Sequence, residues 1–159
     1  MNKKLAAFST KLVLNGWPSI RRAGGKVIFL SEDFSRLKVR LKLGWKTRNI
    51  VGTIYGGSMY ASTDPFFMLM LMKILGPEFV VWDKGCTIRF HKSAKETLFA
   101  DFHISPAMLA EVHSKVGTEG QATFSWTVQY TNNEGVVFAE FDKVIYVAQK
   151  SVYQAKIRQ

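Results

Sequence analysis

The chain has 159 residues and a formal net charge of +10, with 47% hydrophobic and 21% charged residues. That length fits one domain, and that composition is too apolar for a generally disordered chain. Cys86 is the single cysteine, which excludes a disulfide framework and any cysteine-based zinc or iron–sulfur centre.

The charge is unevenly placed. Residues 1–49 contain 12 Lys and Arg against Glu32 and Asp33, whereas the remainder is neutral. Such a bias favours an anionic partner or a solvated basic face. Leu5, Phe8 and Leu12 fall at helical spacing, and the spacing predicts a helix over 3–15 that Gly16 and Pro18 end. Residues 5–14 resemble the apolar part of a signal peptide, but Lys11 interrupts them and no small-residue cleavage pattern follows. The reading is a soluble, cytoplasmic protein without a membrane span, since Pro65–Met72 is the longest apolar run.

Strands are predicted at Lys26–Ser31 and Phe34–Leu43. In the second, Arg36, Lys38, Arg40 and Lys42 alternate with Leu37, Val39, Leu41 and Leu43. The basic stripe therefore belongs on the face away from the core. Residues 44–53 read as a loop. Ile54–Leu75 is apolar on all sides, reads as a buried helix, and is closed by Gly76-Pro77.

Further strands are predicted at Phe79–His91 and Thr97–Ile104. A short helix at 106–116 follows, with Ser105 as N-cap, Pro106 at the first position and Gly117 as the stop. Gln121–Thr131 alternates strictly, and Asn132-Asn133-Glu134-Gly135 turns it into a hairpin with Val136–Ala148. Residues 149–159 are polar and are expected to fray. The order predicts an α+β domain in which six mainly antiparallel strands curl around one long apolar helix.

One segment concentrates chemistry: Asn49-x-x-Gly52-x-x-Tyr55-Gly56-Gly57, with Asp64-Pro65 beyond it. Gly56-Gly57 lies where loop gives way to helix. Glycine there either permits close packing of helix on sheet or exposes helix-start amides that could hold an oxyanion. Asp64 interrupts an apolar stretch. It is either the N-cap of a helix starting at Pro65 or a general base or nucleophile in a dry pocket.

The other candidates are weaker. His91, His103 and His113 lie on separate elements without metal-ligand spacing. Cys86 alternates with Ile88 and Phe90, as a core thiol would. Met68, Met70 and Met72 read as helix core. Arg89, His91 and Lys92 lie near a strand end, where they either meet a phosphate or form a solvated face. Leu and Val, not aromatics, interleave the basic stripe, which argues against nucleic-acid binding.

The Asn49-to-Asp64 segment resembles the hotdog-fold thioesterases, nearest to their PaaI-like and uncharacterised branches. Their motif has the form Asn-x-x-Gly-x-x-His-Gly-Gly, with an acidic residue nine positions after the His. Here Asn49, Gly52, Gly56, Gly57 and Asp64 match, and Tyr55 stands in place of the His. The resemblance implies a single hotdog domain over 1–159, with 1–24 as a helical extension. It implies a homodimer or dimer of dimers that hydrolyses an acyl-CoA or acyl-carrier thioester at the subunit interface. Gly56 or Gly57 would polarise the carbonyl, and Asp64 would activate water or attack directly. Asn49, Tyr55, Arg89, His91 and Lys92 would contact substrate, with no metal or cofactor beyond the CoA of the substrate. The basic stripe would draw in anionic CoA. The alternative is a non-catalytic hotdog module that binds an acyl group or only dimerises.

Overall fold

The computed structural model describes residues 3–158. Helices α1 (Lys3–Gly16) and α2 (Pro18–Ala23) lead into strands β1 (Gly25–Leu30) and β2 (Arg36–Leu41). After the 42–55 loop come α3 (Gly56–Ala61) and α4 (Phe66–Leu75), then β3 (Phe79–Phe90) and β4 (Leu98–His103). Helix α5 (Pro106–Glu119), the hairpin of β5 (Gln121–Thr131) and β6 (Val137–Gln149), and α6 (Lys150–Ile157) complete the chain. The six strands form one antiparallel sheet in the order β1-β2-β4-β5-β6-β3. It curves over α4, as in the hotdog fold.

Alternation sets the two faces of the sheet. Leu37, Val39 and Leu41 are buried in the core, while Arg36 on the same strand is exposed. Phe124, Trp126, Val128 and Tyr130 line the inner face of β5 in the same way. Against them packs α4, whose Phe66, Phe67, Met70 and Leu71 are buried. Phe67 meets the rings of Phe102 and Trp126 edge-on at 5.0 and 5.4 Å. Such rings stabilise the core by area and by quadrupole geometry together.

Several expectations need correction. The apolar stretch from Ile54 to Leu75 is two helices rather than one, because Pro65 has no amide hydrogen and cannot continue α3. Ser62 pins the break, its hydroxyl 2.8 Å from that of Tyr130 on β5. Helix α5 runs past Gly117 to Glu119. Its stop is Gly120, whose left-handed backbone (φ +74°) is the conformation glycine adopts without cost. Residues 150–157 form helix α6 instead of fraying. Of the three methionines only Met70 is core; Met72 is exposed. Cys86 is half-buried rather than a core thiol.

One irregularity matters for function. Strand β3 carries a bulge between Asp83 and Gly85, opposite Ile145 and Val144 of β6. The extra residue shifts the alternation. Val81 and Asp83 face inward before the bulge, and Cys86 and Ile88 after it. Asp83 and Cys86 consequently share the inner face with Lys143, which pairs with Cys86 across the strands.

Candidate active site

The site forms where α3 ends and α4 begins, over the inner face of β3 and β6. Helix α3 starts at Gly56, with Tyr55 as its N-cap residue. Both glycines lie close to an aromatic ring. A Cβ on Gly56 would lie 2.7 Å from the Phe90 ring of β3, and one on Gly57 would lie 2.3 Å from the Tyr55 ring. Both rings belong to exposed side chains that would have to shift, and the first helix amides have no partner within the helix.

Asp64 lies at the break between the helices, and its peptide bond to Pro65 is cis. The N-cap of α4 is Pro65, without a side-chain cap, so Asp64 does not cap that helix. Its Oδ1 instead accepts a hydrogen bond from Lys143 Nζ at 2.6 Å. The Asp64 side chain is 41% exposed, whereas that of Lys143 is 1% exposed. The carboxylate thus sits at the mouth of a site whose counter-charge is enclosed.

Lys143 has a second anionic neighbour. Asp83 Oδ2 lies 3.4 Å from Nζ, an ion pair without hydrogen-bond geometry, and both Asp83 oxygens are buried with no hydrogen-bond partner among the described residues. Burial pushes the Asp83 carboxyl above the usual carboxylate range; Lys143 opposes that shift and Asp64 reinforces it. Burial alone would push Lys143 down, but the bond to Asp64 and the charges of Asp83 and Asp64 hold it above its ordinary value. The ammonium also lies 5.2 Å from the centre of the Tyr60 ring. Burial, the largest cause, raises the Tyr60 hydroxyl and the Cys86 thiol. The cluster therefore holds one enclosed cation, one carboxylate open to solvent, and one buried carboxyl whose pKa burial raises.

The remaining sequence candidates are dispersed. Asn49 spends its amide on its own loop, donating from Nδ2 to Thr53 Oγ1 at 2.8 Å and accepting from the Thr53 amide at 2.9 Å. Tyr55 is exposed beside Gly57. Arg89 points to the outer face, where it donates to Glu140 and Asp142, so it does not join Asp64. His91 and Lys92 follow Phe90, which touches the start of α3; both are exposed, and their amides bond to Phe138 O. His103 ends β4 and His113 lies in α5.

Sequence reasoning missed Lys143 and Asp83. Lys143 had a signal: it occupies the inward alternation of Phe141, Ile145 and Val147, where a charge requires a partner. Asp83 had a weaker one: Gly85, an isolated glycine within a strand, marks the bulge that brings Asp83 and Cys86 to one face.

A family model described as a domain of unknown function, DUF4442, matches residues 6–147. The chain belongs to the DUF4442 family. No curated protein matches it in sequence. Among solved structures, this DUF4442 chain is similar to a Pseudomonas aeruginosa protein of unknown function named a probable thioesterase. The identity is 19%, the TM-score 0.75, and the coverage 88% of this chain and 95% of that one. A Chlorobaculum tepidum protein of unknown function is 13% identical with TM-score 0.74, covering 94% and 98%. A Haemophilus influenzae thioesterase is 11% identical with TM-score 0.62, covering 86% of each chain. These likenesses establish the hotdog fold.

Proposed function

We propose that the chain is an acyl-CoA thioesterase working at a dimer-interface site, with Asp64 as general base. The observation that carries this reading is the Asp64–Lys143 pair: a solvent-facing carboxylate at a helix break, held by an enclosed ammonium. The reaction runs on water and side chains, with CoA entering only as part of the substrate. Asp64 takes a proton from water as the oxygen attacks the thioester carbon. Amides of Gly56 or Gly57 from the partner subunit stabilise the oxyanion. The C–S bond then breaks, and the proton passes to the departing thiolate. Exposed His91 and Lys92 are placed to meet the anionic end of CoA, whereas Arg89 is withdrawn from that role.

Dimerisation is supported by the edge of the sheet. Strand β3 is 12 residues long and lies at the open edge. Unpaired strand edges recruit a partner strand unless they are protected. Exposed Phe90 on this strand and exposed Tyr55 before α3, whose rings flank Gly56 and Gly57, offer apolar surface that a second copy would cover.

A second reading is supported by the same ion pair. If Asp64 serves only to neutralise Lys143, the chain is a non-catalytic acyl-binding or dimerisation module. Asp64→Asn separates the two, because it keeps the size and removes the base. In a hydrolysis screen of short, long and aromatic acyl-CoAs, the general-base reading expects a loss of at least about 100-fold. Unchanged turnover, or no hydrolysis by the natural chain, leaves the binding module.

A further inference from the structure

Helix α1 turns an apolar face outward. Leu5, Phe8, Leu12, Val13 and Trp17 are each more than half exposed, and Ser9 and Gly16, also exposed, are the neutral residues between them. The opposite side is held to the protein by buried Ala7, by half-buried Leu14, and by Asn15, whose amide bonds both Val27 N and Val27 O. The helix is therefore amphipathic with a second apolar stripe where a surface helix ordinarily carries charge. Its charges are all of one sign. Lys3, Lys4 and Lys11 flank the stripe, Arg21 and Arg22 follow on α2, and neither helix contains an acid.

The same helix walls an apolar cavity of about 450 Å³. Val13, Leu14 and Trp17 line one side, Leu37 of β2 and Leu69 of α4 the other, and Lys73 is the cation among the lining residues. Val13 and Trp17 belong both to the cavity wall and to the exposed stripe, so the cavity adjoins that stripe.

We infer that α1 is a membrane-surface anchor that lays its outward face into an anionic phospholipid bilayer. Apolar side chains bordered by lysines, with a tryptophan at one end, are the pattern of an interfacial helix. Fourteen residues rise about 21 Å, short of the roughly 30 Å hydrocarbon core, so the helix lies in the interface and does not span it. Charge decides between a bilayer and a second copy of the chain. Two such faces would bring lysines against lysines, whereas an anionic leaflet complements them. A lipid tail, or a lipid-dissolved acyl chain, could enter the cavity from the same side. This inference does not depend on hydrolysis.

The test is sedimentation of the full chain with vesicles of phosphatidylcholine alone and of an equal mixture with phosphatidylglycerol. The natural chain is expected to bind the mixed vesicles, more weakly as salt rises, and to leave phosphatidylcholine largely unbound. Phe8→Glu and Leu12→Glu should each weaken binding at least about tenfold, and Lys11→Gln about fivefold. These positions are on the surface, so circular dichroism melts should match those of the natural chain. Absence of binding to mixed vesicles, or equal binding by the glutamate variants, overturns the anchor. A fall in solution mass on Phe8→Glu without vesicles also overturns it and assigns the face to a second copy.

Discussion

The two faces of the sheet treat charge in opposite ways. On the outer face, Arg36 and Lys38 share Asp101 at 2.7 and 3.2 Å, and Arg89 forks onto Glu140 and Asp142. Thr127 and Gln129 add hydrogen bonds to the same two acids. Solvent reaches these groups, so their attraction is screened and largely offset by lost hydration and side-chain freedom. On the inner face, Lys143 is enclosed between Asp64 and Asp83, under Tyr60. There the desolvation cost has already been met by folding, and each partner keeps the others from being stranded. Similar ion pairs thus stay solvated on one side of the strands and enclose a cation on the other.

The most damaging way to break the comparison is Lys143→Met. It keeps the stem and removes the cation, leaving Asp83 buried without a counter-charge. Unfolding in urea is expected to show a loss of about 3 kcal/mol, toward the lower end for a broken buried pair because Asp64 is half-exposed. Adding Asp83→Leu to that variant should recover most of the loss. A cost below about 1 kcal/mol would place the cluster with the outer-face pairs.

Asp83→Asn sharpens the comparison through pH. Burial raises the Asp83 pKa, so the folded chain holds that proton more tightly than the unfolded chain does. The resulting stability is complete below the ordinary aspartate value of about 4 and is lost as pH rises through the raised value. The asparagine variant lacks this loss. Its thermal midpoint should therefore gain on that of the natural chain as pH is raised from about 4 to about 8.

The smallest effect belongs to the outer face. Asp101→Ala frees Arg36 and Lys38 but leaves them solvated. It should cost less than about 1 kcal/mol, and the cost should shrink further in high salt. A larger, salt-insensitive loss would show that the outer network is structural after all.

How much of this was legible varies with the range of the cause. The strict alternation of Gln121–Thr131 gave β5 at its observed ends, because a strand's period is written residue by residue. Ser105 and Pro106 announced the start of α5 for the same local reason, and Ser105 accepts from the Met108 amide at 3.2 Å. Asp64 is not the cap of a helix starting at Pro65; it lies at a break in a helical stretch that already begins at Gly56. The proline that ends α3 is visible in the sequence, but the direction of the Asp64 side chain is not. Asn49 matches the family motif, and what the structure adds is local: its amide holds Thr53 in its own loop.

By itself, the sequence determined the α+β order, the inner and outer faces of the strands, and the Gly56-Gly57 and Asp64 spacing, since each follows from short-range periodicity or local chain stiffness. Only the tertiary structure decided what Asp64 meets. Its partner Lys143 is 79 residues away, on β6, the last strand in chain order. Asp83 reaches the same point because of a one-residue bulge in β3. Strand register and the curl of the sheet over α4 are cooperative outcomes of packing, so no short window of residues contains them.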